Sequence, residues 1–470
     1  MKSAALPEGL ESIIPSQVKK ARAYSAYRPT TVWGLDSLPA HWREKPLKRV
    51  IRINTDKLPD STDPDHEIEY VDIGNVTLEK GITSTERLRF ETAPSRARRL
   101  VREGDTIVST VRTYLKAVAQ ITMRSENLVV STGFAVLRAG SELDPGYLYR
   151  LIQSEAFVGR IMAHSVGVSY PAINASDIGS FSIQIPPLDE QRAIAKFLDH
   201  ETAQLDQLIS KNETMLQRLD EARLIFVSRA VNIGINSDAA LIQSTIPWLG
   251  RIPAHWKIKR LKHFIKQIEQ GWSPQCENRP AEPGEWGVLK VGCMNSGVYD
   301  EAENKALPSN VKAEQHYEVH IGDVLMSRSN TAELVGAVGR VRATQGHIMV
   351  CDKLYRIAFA VDRLNPDYAI HLLRSISARQ QIERDATGAS ASMKNISNDR
   401  VENLLFAIPD TTEQATILAH IEARTKRIDC LIGGVKSVLA RLKQYRAALI
   451  STAVTGEIDV CNYRPEAICQ

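Results

Sequence analysis

Apolar residues recur at alternating three- and four-residue steps in two long stretches of the chain, 187–233 and 409–456. In the first stretch one row of apolar positions runs beside a companion row: Leu198, Leu205, Leu219 and Phe226, with Ile194, Leu208, Met215 and Ala222. The second stretch has equivalent rows: Ile421, Ile428, Val435, Leu442 and Leu449, with Ile417, Leu431, Val438 and Tyr445. A heptad rhythm sustained over this length predicts two coiled-coil helices, each on the order of 65 Å long.

The residues before and between these stretches follow a different pattern. Short runs such as DTIVSTV, GFAVLR and FSIQIP are separated by Gly, Pro and Asn, which is typical of strands joined by turns. We therefore expect α+β globular domains beside the helices. The predicted segments are an N-terminal extension 1–30, a first globular domain 31–186, a long helix 187–233, a second globular domain 245–408, a long helix 409–456 and a C-terminal tail 457–470.

The chain contains a long internal repeat. The tetrapeptide PAHW occurs at 39–42 and, 214 positions later, at 253–256, with Trp and Gly shortly before both copies. Further matches follow in the same order at offsets of 218 and 223 positions: Gly104-Asp105 with Gly322-Asp323, Ile185-Pro186 with Ile408-Pro409, and Glu190-Gln191 with Glu413-Gln414. Slowly increasing offsets indicate a duplicated module with insertions in its loops. Residues 1–30 align with nothing in the second copy, which predicts an extension outside the repeat.

Composition narrows the class of protein. A chain of 470 residues with 43% hydrophobic and 24% charged residues is typical of a globular protein with several domains. The sequence has no apolar run long enough to span a bilayer and no signal-peptide pattern, which predicts a cytoplasmic protein. The six cysteines lack the spacing of a metal site, so no metal is expected. The net charge of +4 permits DNA binding through local basic patches.

The duplicated motifs resemble a known family. The segments IPPLDEQRAIAKFLD and IPDTTEQATILAHIE at the helix starts, WLGRIPAHWKIKRLK at the start of a domain and AVTGEID near the C-terminus are similar to those of the specificity subunit of Type I DNA restriction–modification systems. The resemblance implies a pseudo-twofold α+β architecture, with two tandem target-recognition domains separated by two long antiparallel coiled-coil helices. Each domain would read one half of an asymmetric bipartite DNA sequence.

The resemblance also implies partners. The chain would be non-catalytic and would need no cofactor of its own. It would bind double-stranded DNA, two modification subunits that methylate adenine with S-adenosylmethionine, and restriction/translocase subunits. We expect the modification subunits to dock on the outward helix faces around 192–200 and 416–424.

Candidate DNA-contacting residues lie in three kinds of segment. ERLRFETAPSRARRLVR (86–102) is the strongest local basic patch and is suited to neutralising phosphates, although a solvated charged face is an equally open interpretation. The turns after the two Gly-Asp pairs carry side chains suited to base recognition, and the loops GVSYPAIN (167–174) and GASASMKNI (388–396) permit close approach to DNA. The candidates are Arg96, Arg98, Arg99, Arg112, Tyr114, Lys116, Ser169, Tyr170, Arg328, Asn330, Thr331, Ser390, Ser392 and Lys394.

Two other interpretations stay open. NPDY (365–368) resembles an amino-methyltransferase motif, which would suit a detached part of a fused methyltransferase–nuclease. However, it lacks a second proline, and both NPDY and its counterpart DPGY (144–147) favour a helix start with an Asn or Asp cap. A coiled-coil scaffold that binds only proteins is the second interpretation. Trp42 and Trp256 are predicted to be core residues rather than base-stacking platforms.

Overall fold

A computed structural model describes residues 23–122, 127–168, 170–390 and 393–463. The chain divides into two compact units, the first formed by 1–213 with 436–470 and the second by 214–435. Ser169, Ser392 and residues 1–22 of the predicted extension lie outside the described residues, as does the side chain of Ser390. Within the described part of the chain, no helix combines the length and apolarity needed to cross a membrane.

The first unit contains two four-stranded sheets. Its strands are β1 (Tyr27–Pro29), β2 (Ser37–Pro39), β3 (Arg43–Pro46), β4 (Ile51–Ile53), β5 (Glu67–Val71), β6 (Val76–Thr77), β7 (Gly81–Ile82), β8 (Glu86–Arg89), β9 (Ala97–Leu100), β10 (Thr106–Ser109), β11 (Val118–Gln120), β12 (Leu128–Ser131), β13 (Phe134–Ala139) and β14 (Ser182–Ile185). One sheet has the order β11-β10-β13-β4 and the other β8-β5-β12-β9. Strands β5 and β12 are parallel, whereas the other neighbours in these sheets are antiparallel.

The second unit repeats this plan. Its strands are β15 (Leu241–Gln243), β16 (Arg251–Pro253), β17 (Lys257–Arg260), β18 (Ile265–Gln270), β19 (Gly287–Leu289), β20 (Asn304–Ala306), β21 (Val324–Ser327), β22 (Ser329–Asn330), β23 (Val338–Arg340), β24 (Ile348–Met349), β25 (Leu354–Phe359), β26 (Thr387–Ser390), β27 (Met393–Asn395) and β28 (Leu405–Ile408). The order β23-β21-β25-β18 matches the first sheet of the other unit. The parallel pair β19 and β24 matches β5 and β12.

Both heptad stretches are helical. The helices are α1 (Pro145–Gln153), α2 (Glu155–Ala163), α3 (Ala175–Ser180), α4 (Leu188–Ile233), α5 (Pro366–Leu373), α6 (Ile376–Asp385), α7 (Asn398–Glu402) and α8 (Thr411–Thr455). In the first unit Asp206 of α4 pairs with Arg446 of α8, at 2.8 Å between carboxylate and guanidinium. In the second unit Arg223 of α4 pairs with Asp429 of α8 at 2.9 Å. Both residue types recur 223 positions later, so the two ion pairs are copies of one another.

The companion apolar rows of the long helices differ from the sequence prediction. Ile194, Ile417 and Tyr445 are buried as expected, but the other five members are exposed: Leu208, Met215, Ala222, Leu431 and Val438. Ile209, Ile432 and Leu439 are buried instead. A straight helix has about 3.6 residues per turn, so its buried face drifts away from a strict seven-residue repeat. The exposed pairs Leu208/Met215 and Leu431/Val438 are themselves related by the 223-residue offset.

The predicted extension is shorter than the sequence indicates. Strand β1 pairs with β2 in the same way as β15 pairs with β16, Tyr27 facing Pro39 where Leu241 faces Pro253. Residues 27–29 therefore do have a counterpart in the second copy, and the expectation that all of 1–30 lies outside the repeat is wrong. Backbone hydrogen bonds define this hairpin, and YRP and LIQ share no side chain by which the sequences could be aligned.

The helix-start interpretation of DPGY and NPDY is confirmed. The Asp144 carboxylate accepts a hydrogen bond from the backbone N–H of Tyr147 at the start of α1. The Asn365 side chain accepts one from the N–H of Asp367 at the start of α5. Both side chains act as helix caps ahead of a proline in the first turn, which is a structural role.

Candidate nucleic-acid interface

In each unit the duplicated motifs meet at a single carboxylate. Glu190, in the first turn of α4, accepts a hydrogen bond from the indole N–H of Trp42 at 2.9 Å and lies 2.8 Å from His41 Nε2. Glu413, in the first turn of α8, makes the same contacts with Trp256 and His255 at 3.0 and 2.9 Å. Both tryptophans are buried, as predicted. The motifs thus join the globular part of each unit to the start of one long helix.

The neighbouring glutamine extends this joint. Gln191 accepts a hydrogen bond from the N–H of Asp144 and donates to the carbonyls of Glu142 and Pro186. Gln414 makes the equivalent bonds with Asn365, Arg363 and Pro409. Each glutamine is fully buried, so its amide ties the cap of a short helix to the strand that leads into a long one.

The end of the opposite long helix completes each joint. Gly234 follows α4 and Gly456 follows α8, both with positive φ (81° and 75°), the conformation that commonly ends a helix. A Cβ on Gly456 would lie 2.6 Å from Pro39 and 3.0 Å from the Trp42 ring, and one on Gly234 would lie 3.3 Å from the Trp256 ring. The positive φ favours glycine at both positions, and at Gly456 the close packing excludes a Cβ as well.

The joints support loops that differ between the units. In the first unit the turn 110–116 lies beside the loop 165–173. Val111 bridges to Ala172, and the N–H of Ile173 donates to the Thr110 carbonyl at 2.9 Å. The Thr113 and Ser165 hydroxyls are 2.8 Å apart. Two of the predicted segments, which are distant in sequence, thus form one surface.

This surface exposes the side chains predicted for DNA contact. Arg112, Tyr114, Lys116 and Tyr170 are all exposed, and the Arg112 guanidinium lies over the Tyr170 ring, 5.4 Å from its centroid. Arg112 and Lys116 both have φ of 51°, so the turn holds them in the left-handed region. Side chains in this arrangement can contact phosphates or base edges.

The arginine patch is more nearly neutral than its sequence suggests. Acidic residues from 56–72 pair with its arginines: Arg87 with Glu69, Arg89 with Asp65, Arg96 with Asp72, Arg98 with Asp60 and Arg102 with Asp56. Arg98 also stacks on Phe90, 4.4 Å from the ring centroid. Burial lowers the pKa of Arg99, whose Nε has no hydrogen-bond partner among the described residues. A polyanion would therefore have to compete with these carboxylates.

In the second unit the equivalent segments form a small sheet, β22-β27-β26. Asn330 pairs with Lys394 across β22 and β27, and the N–H of Ile396 donates to the Arg328 carbonyl at 2.9 Å. Thr331 is exposed, whereas Arg328 and Lys394 are half-buried. Here too the structure brings together two segments that the sequence indicates separately.

Asn330 is poorly placed for direct base recognition. It is 8% exposed, its amide donates to Asn295 at 2.9 Å, and its oxygen accepts from the N–H of Thr331. Its hydrogen-bonding groups are thus engaged inside the protein. The Lys394 ammonium donates to the Gly388 carbonyl at 2.7 Å, so a phosphate would have to displace that contact.

Sequence reasoning missed the apolar side chains at the tip of the first unit's surface. Val166, Val168 and Leu115 are exposed in the two adjoining segments that also carry Tyr114 and Tyr170. The sequence does contain a signal, because Val166, Val168 and Tyr170 alternate with small residues in this loop. A search for polar side chains that bind base edges does not detect it. Among the described residues, no cluster of His, Cys, Asp or Glu is placed to hold a metal ion.

Comparison with known proteins finds similarity to DNA specificity subunits over part of this chain. A family model described as the Type I restriction modification DNA specificity domain matches residues 39–218, which include the joint of the first unit. Curated proteins that resemble this chain are named Type I restriction enzyme specificity subunits. The EcoEI specificity subunit of Escherichia coli is 33% identical over 189 residues, covering 40% of this chain and 32% of that relative. This match therefore spans about a third of the relative's length.

Longer matches have lower identity. The EcoKI specificity subunit of Escherichia coli strain K12 is 26% identical over 331 residues, 69% of this chain and 68% of that protein. A solved chain described under "Structural basis underlying complex assembly and conformational transition of the type I R-M system" covers 90% of this chain and 99% of its own length, with a TM-score of 0.62 and 22% identity. The likeness to that chain concerns the fold.

Proposed function

We propose that this chain is the non-catalytic DNA-recognition subunit of a Type I restriction–modification complex. Each unit carries one target-recognition domain, within 31–186 and 245–408, and each domain reads one half of an asymmetric bipartite sequence. This proposal is supported mainly by one observation: the same Glu–Trp–His joint occurs in both units, whereas the loops beside it differ. Equivalent scaffolds with different reading surfaces suit two different half-sites.

The long helices, 187–233 and 409–456, are the proposed spacer. The pairs Asp206–Arg446 and Arg223–Asp429 support an antiparallel arrangement, because the α8 partner moves towards the start of the helix as the α4 partner moves towards its end. Two half-sites on one face of DNA are separated by about 34–36 Å per helical turn. Helices of this length are long enough for that spacing.

The helices are also the proposed docking surface for two modification subunits. Arg192 and Lys196 near the start of α4 are exposed, as are His420 and Arg424 of α8. The repeated exposed pairs Leu208/Met215 and Leu431/Val438 add apolar surface suited to contact with another helix. Restriction/translocase subunits would join the assembly through the complex so formed.

Charge reversal tests the docking surface. We expect Arg192→Glu with Lys196→Glu to prevent co-purification with the modification subunit, because the new charges oppose the surface that bound the original ones. Lys312→Glu, at an exposed position between β20 and β21 and outside the helices, is the control and should leave assembly intact. If the double variant assembles like the unaltered chain while remaining folded, this docking surface is wrong.

Methylome sequencing of cells that express the complex tests the function directly. We expect adenine methylation in an asymmetric bipartite motif with a fixed gap, which is lost when this chain is deleted. In titrations, binding to a duplex with that motif should weaken steeply as salt rises, since phosphate contacts release counterions. Methyl transfer by the purified chain alone would favour the enzyme interpretation, and salt-insensitive or absent DNA binding would favour the protein scaffold.

A further inference from the structure

The loop 166–172 of the first unit has a rigid base. Val166 and Ala172 exchange both backbone hydrogen bonds, at 2.9 and 3.0 Å. Ala172 also bridges to Val111 on its other side. Gly167 has φ of 112°, and a Cβ there would lie 3.2 Å from the Tyr170 carbonyl. Backbone pairing therefore fixes Val166 and Ala172 at the base of the hairpin.

The apex of the hairpin is apolar and exposed. Val168 is fully exposed (102%), Val166 is 80% exposed and Tyr170 66%. Tyr114 and Leu115 of the adjacent turn are exposed by 50% and 41%. We call these five residues the apolar tip. Large apolar side chains grouped at a surface point mark a contact site more often than isolated ones do.

The charges around the apolar tip are positive. Arg112 lies over the Tyr170 ring, Lys116 ends the adjacent turn, and neither 165–172 nor 111–116 contains an acidic residue. An occupant should therefore combine negative charge with flat apolar faces. Bases within a phosphate backbone have both properties, and apolar side chains of other DNA-binding proteins enter and unstack base steps.

We propose that Val168 and Tyr170 act as a wedge that contacts base faces and unstacks one base step of the half-site read by the first unit. This inference rests on the proposed function. Arg112 and Lys116 bind the phosphates beside that step. Pyrimidine–purine steps unstack most easily, so the wedge selects such a step in addition to any base-edge contacts.

The second unit has no equivalent apolar tip among its described residues. Its hairpin, β26 with β27, consists of small and polar residues apart from Met393, which is 45% exposed. Gly388 has φ of 142°, and a Cβ there would lie 2.4 Å from the Met393 carbonyl. The half-site read by this unit should therefore stay stacked.

Fluorescence of 2-aminopurine tests the wedge. The probe is the duplex found by methylome sequencing, with 2-aminopurine placed singly through each half-site. We expect the unaltered full chain to raise fluorescence at one step of one half-site, as the base there loses its neighbour. Val168→Ser with Tyr170→Ser should abolish that rise and weaken binding on the order of tenfold or more, the scale of one lost stacking contact.

Two further variants control for unrelated effects. Val361→Ser changes an exposed valine in the turn before α5 and should alter neither readout. Val168→Thr keeps the shape of valine at a fully exposed position, so its folding should be unaffected, and it should still reduce the fluorescence rise. Circular dichroism of each variant verifies that the fold is retained.

The outcomes distinguish failure of the wedge proposal from failure of the proposed DNA-recognition function. Equal fluorescence from the unaltered chain and the serine variant overturns the wedge alone. So does loss of binding on thymine-to-uracil substitution without any fluorescence rise, which would indicate a methyl contact. A serine variant that binds DNA normally but fails to assemble with the modification subunit assigns the tip to protein docking. Absence of sequence-specific binding by the unaltered chain overturns the proposed function itself.

Discussion

Glu190 and Glu413 perform the same task in surroundings of different exposure. The Glu190 side chain is 8% exposed and that of Glu413 is 24% exposed. We expect Glu190→Ala to destabilise the protein by about 1–3 kcal/mol, because it leaves the buried Trp42 indole N–H without its acceptor. Glu413→Ala should cost less, since water can reach the site. Calorimetry of both variants measures this, with Glu422→Ala, an exposed residue of α8, as the near-neutral control.

His371 gives the second unit a dependence on pH. Burial, together with the nearby cations Arg374, Arg223 and Arg342, lowers the pKa of His371 to about 4, although Asp367 acts in the opposite direction. An unfolded histidine titrates near pH 6.5, so between about 6.5 and 4 the unfolded chain binds more protons than the folded one. Stability should therefore fall as pH falls through this window.

Substitution isolates this contribution. His371→Gln removes the titrating group, and we expect the stability of the variant to decline less between pH 6.5 and 4 than that of the unaltered chain. Urea unfolding at several pH values measures the difference. The equivalent position in the first unit is Arg150, so the first unit has no histidine there. If the two chains lose stability in parallel, His371 does not titrate as its surroundings indicate.

The two copies of the interhelical ion pair should contribute unequally. The Arg446 side chain is 8% exposed and also donates to the Glu79 carbonyl, whereas that of Arg223 is 41% exposed. We expect Arg446→Ala to destabilise by about 1–3 kcal/mol through lost hydrogen bonds and packing, and Arg223→Ala by less than about 1 kcal/mol, as for exposed pairs. Urea unfolding of the single variants tests this order. If both variants lose the same stability, the exposure of the arginine does not determine how much the ion pair contributes.

Sequence pattern predicts some elements better than others. The heptad rhythm locates the long helices because it depends on spacing within one element. It does not identify which companion-row residues are buried, because Leu208 and Leu431 lie where the helical face has drifted out of contact. Sequence pattern does not predict that the strand at 27–29 belongs to the repeat, because β1 and β15 share their backbone pairing but no side chain.

Loop exchange tests the division of labour across the molecule. We expect transfer of 111–116 and 166–172 from a Type I specificity subunit with a different known target to change one half of the methylated motif. The gap and the other half should stay the same, because the joint and the helices are untouched. Exchange of 329–331 and 387–395 should alter the opposite half. Methylome sequencing of each chimera gives the answer, and a change in both halves from one exchange would contradict the assignment.

The sequence predicts only part of the candidate interface. Composition and the Gly-Asp turns point to the loops that carry Arg112 and Arg328. These sequence features do not show that the Asn330 amide donates its hydrogen bond to Asn295, or that acidic residues from 56–72 pair with the arginine patch. Both sets of partners are distant along the chain. The apolar tip was missed for a chemical reason: valine and leucine offer no hydrogen bond, so they do not look like readers of a base.

The duplicated joint has a consequence for how such a protein changes over generations. Its contacts run from the glutamate carboxylate to Trp and His and from the glutamine amide to backbone groups, and none of these involves the hairpin apex. Mutations can therefore accumulate at the apex without weakening the attachment of the helix. A lineage could therefore acquire a new preference for one half-site while it keeps the old preference for the other. The full DNA target would then change although most of the protein had not.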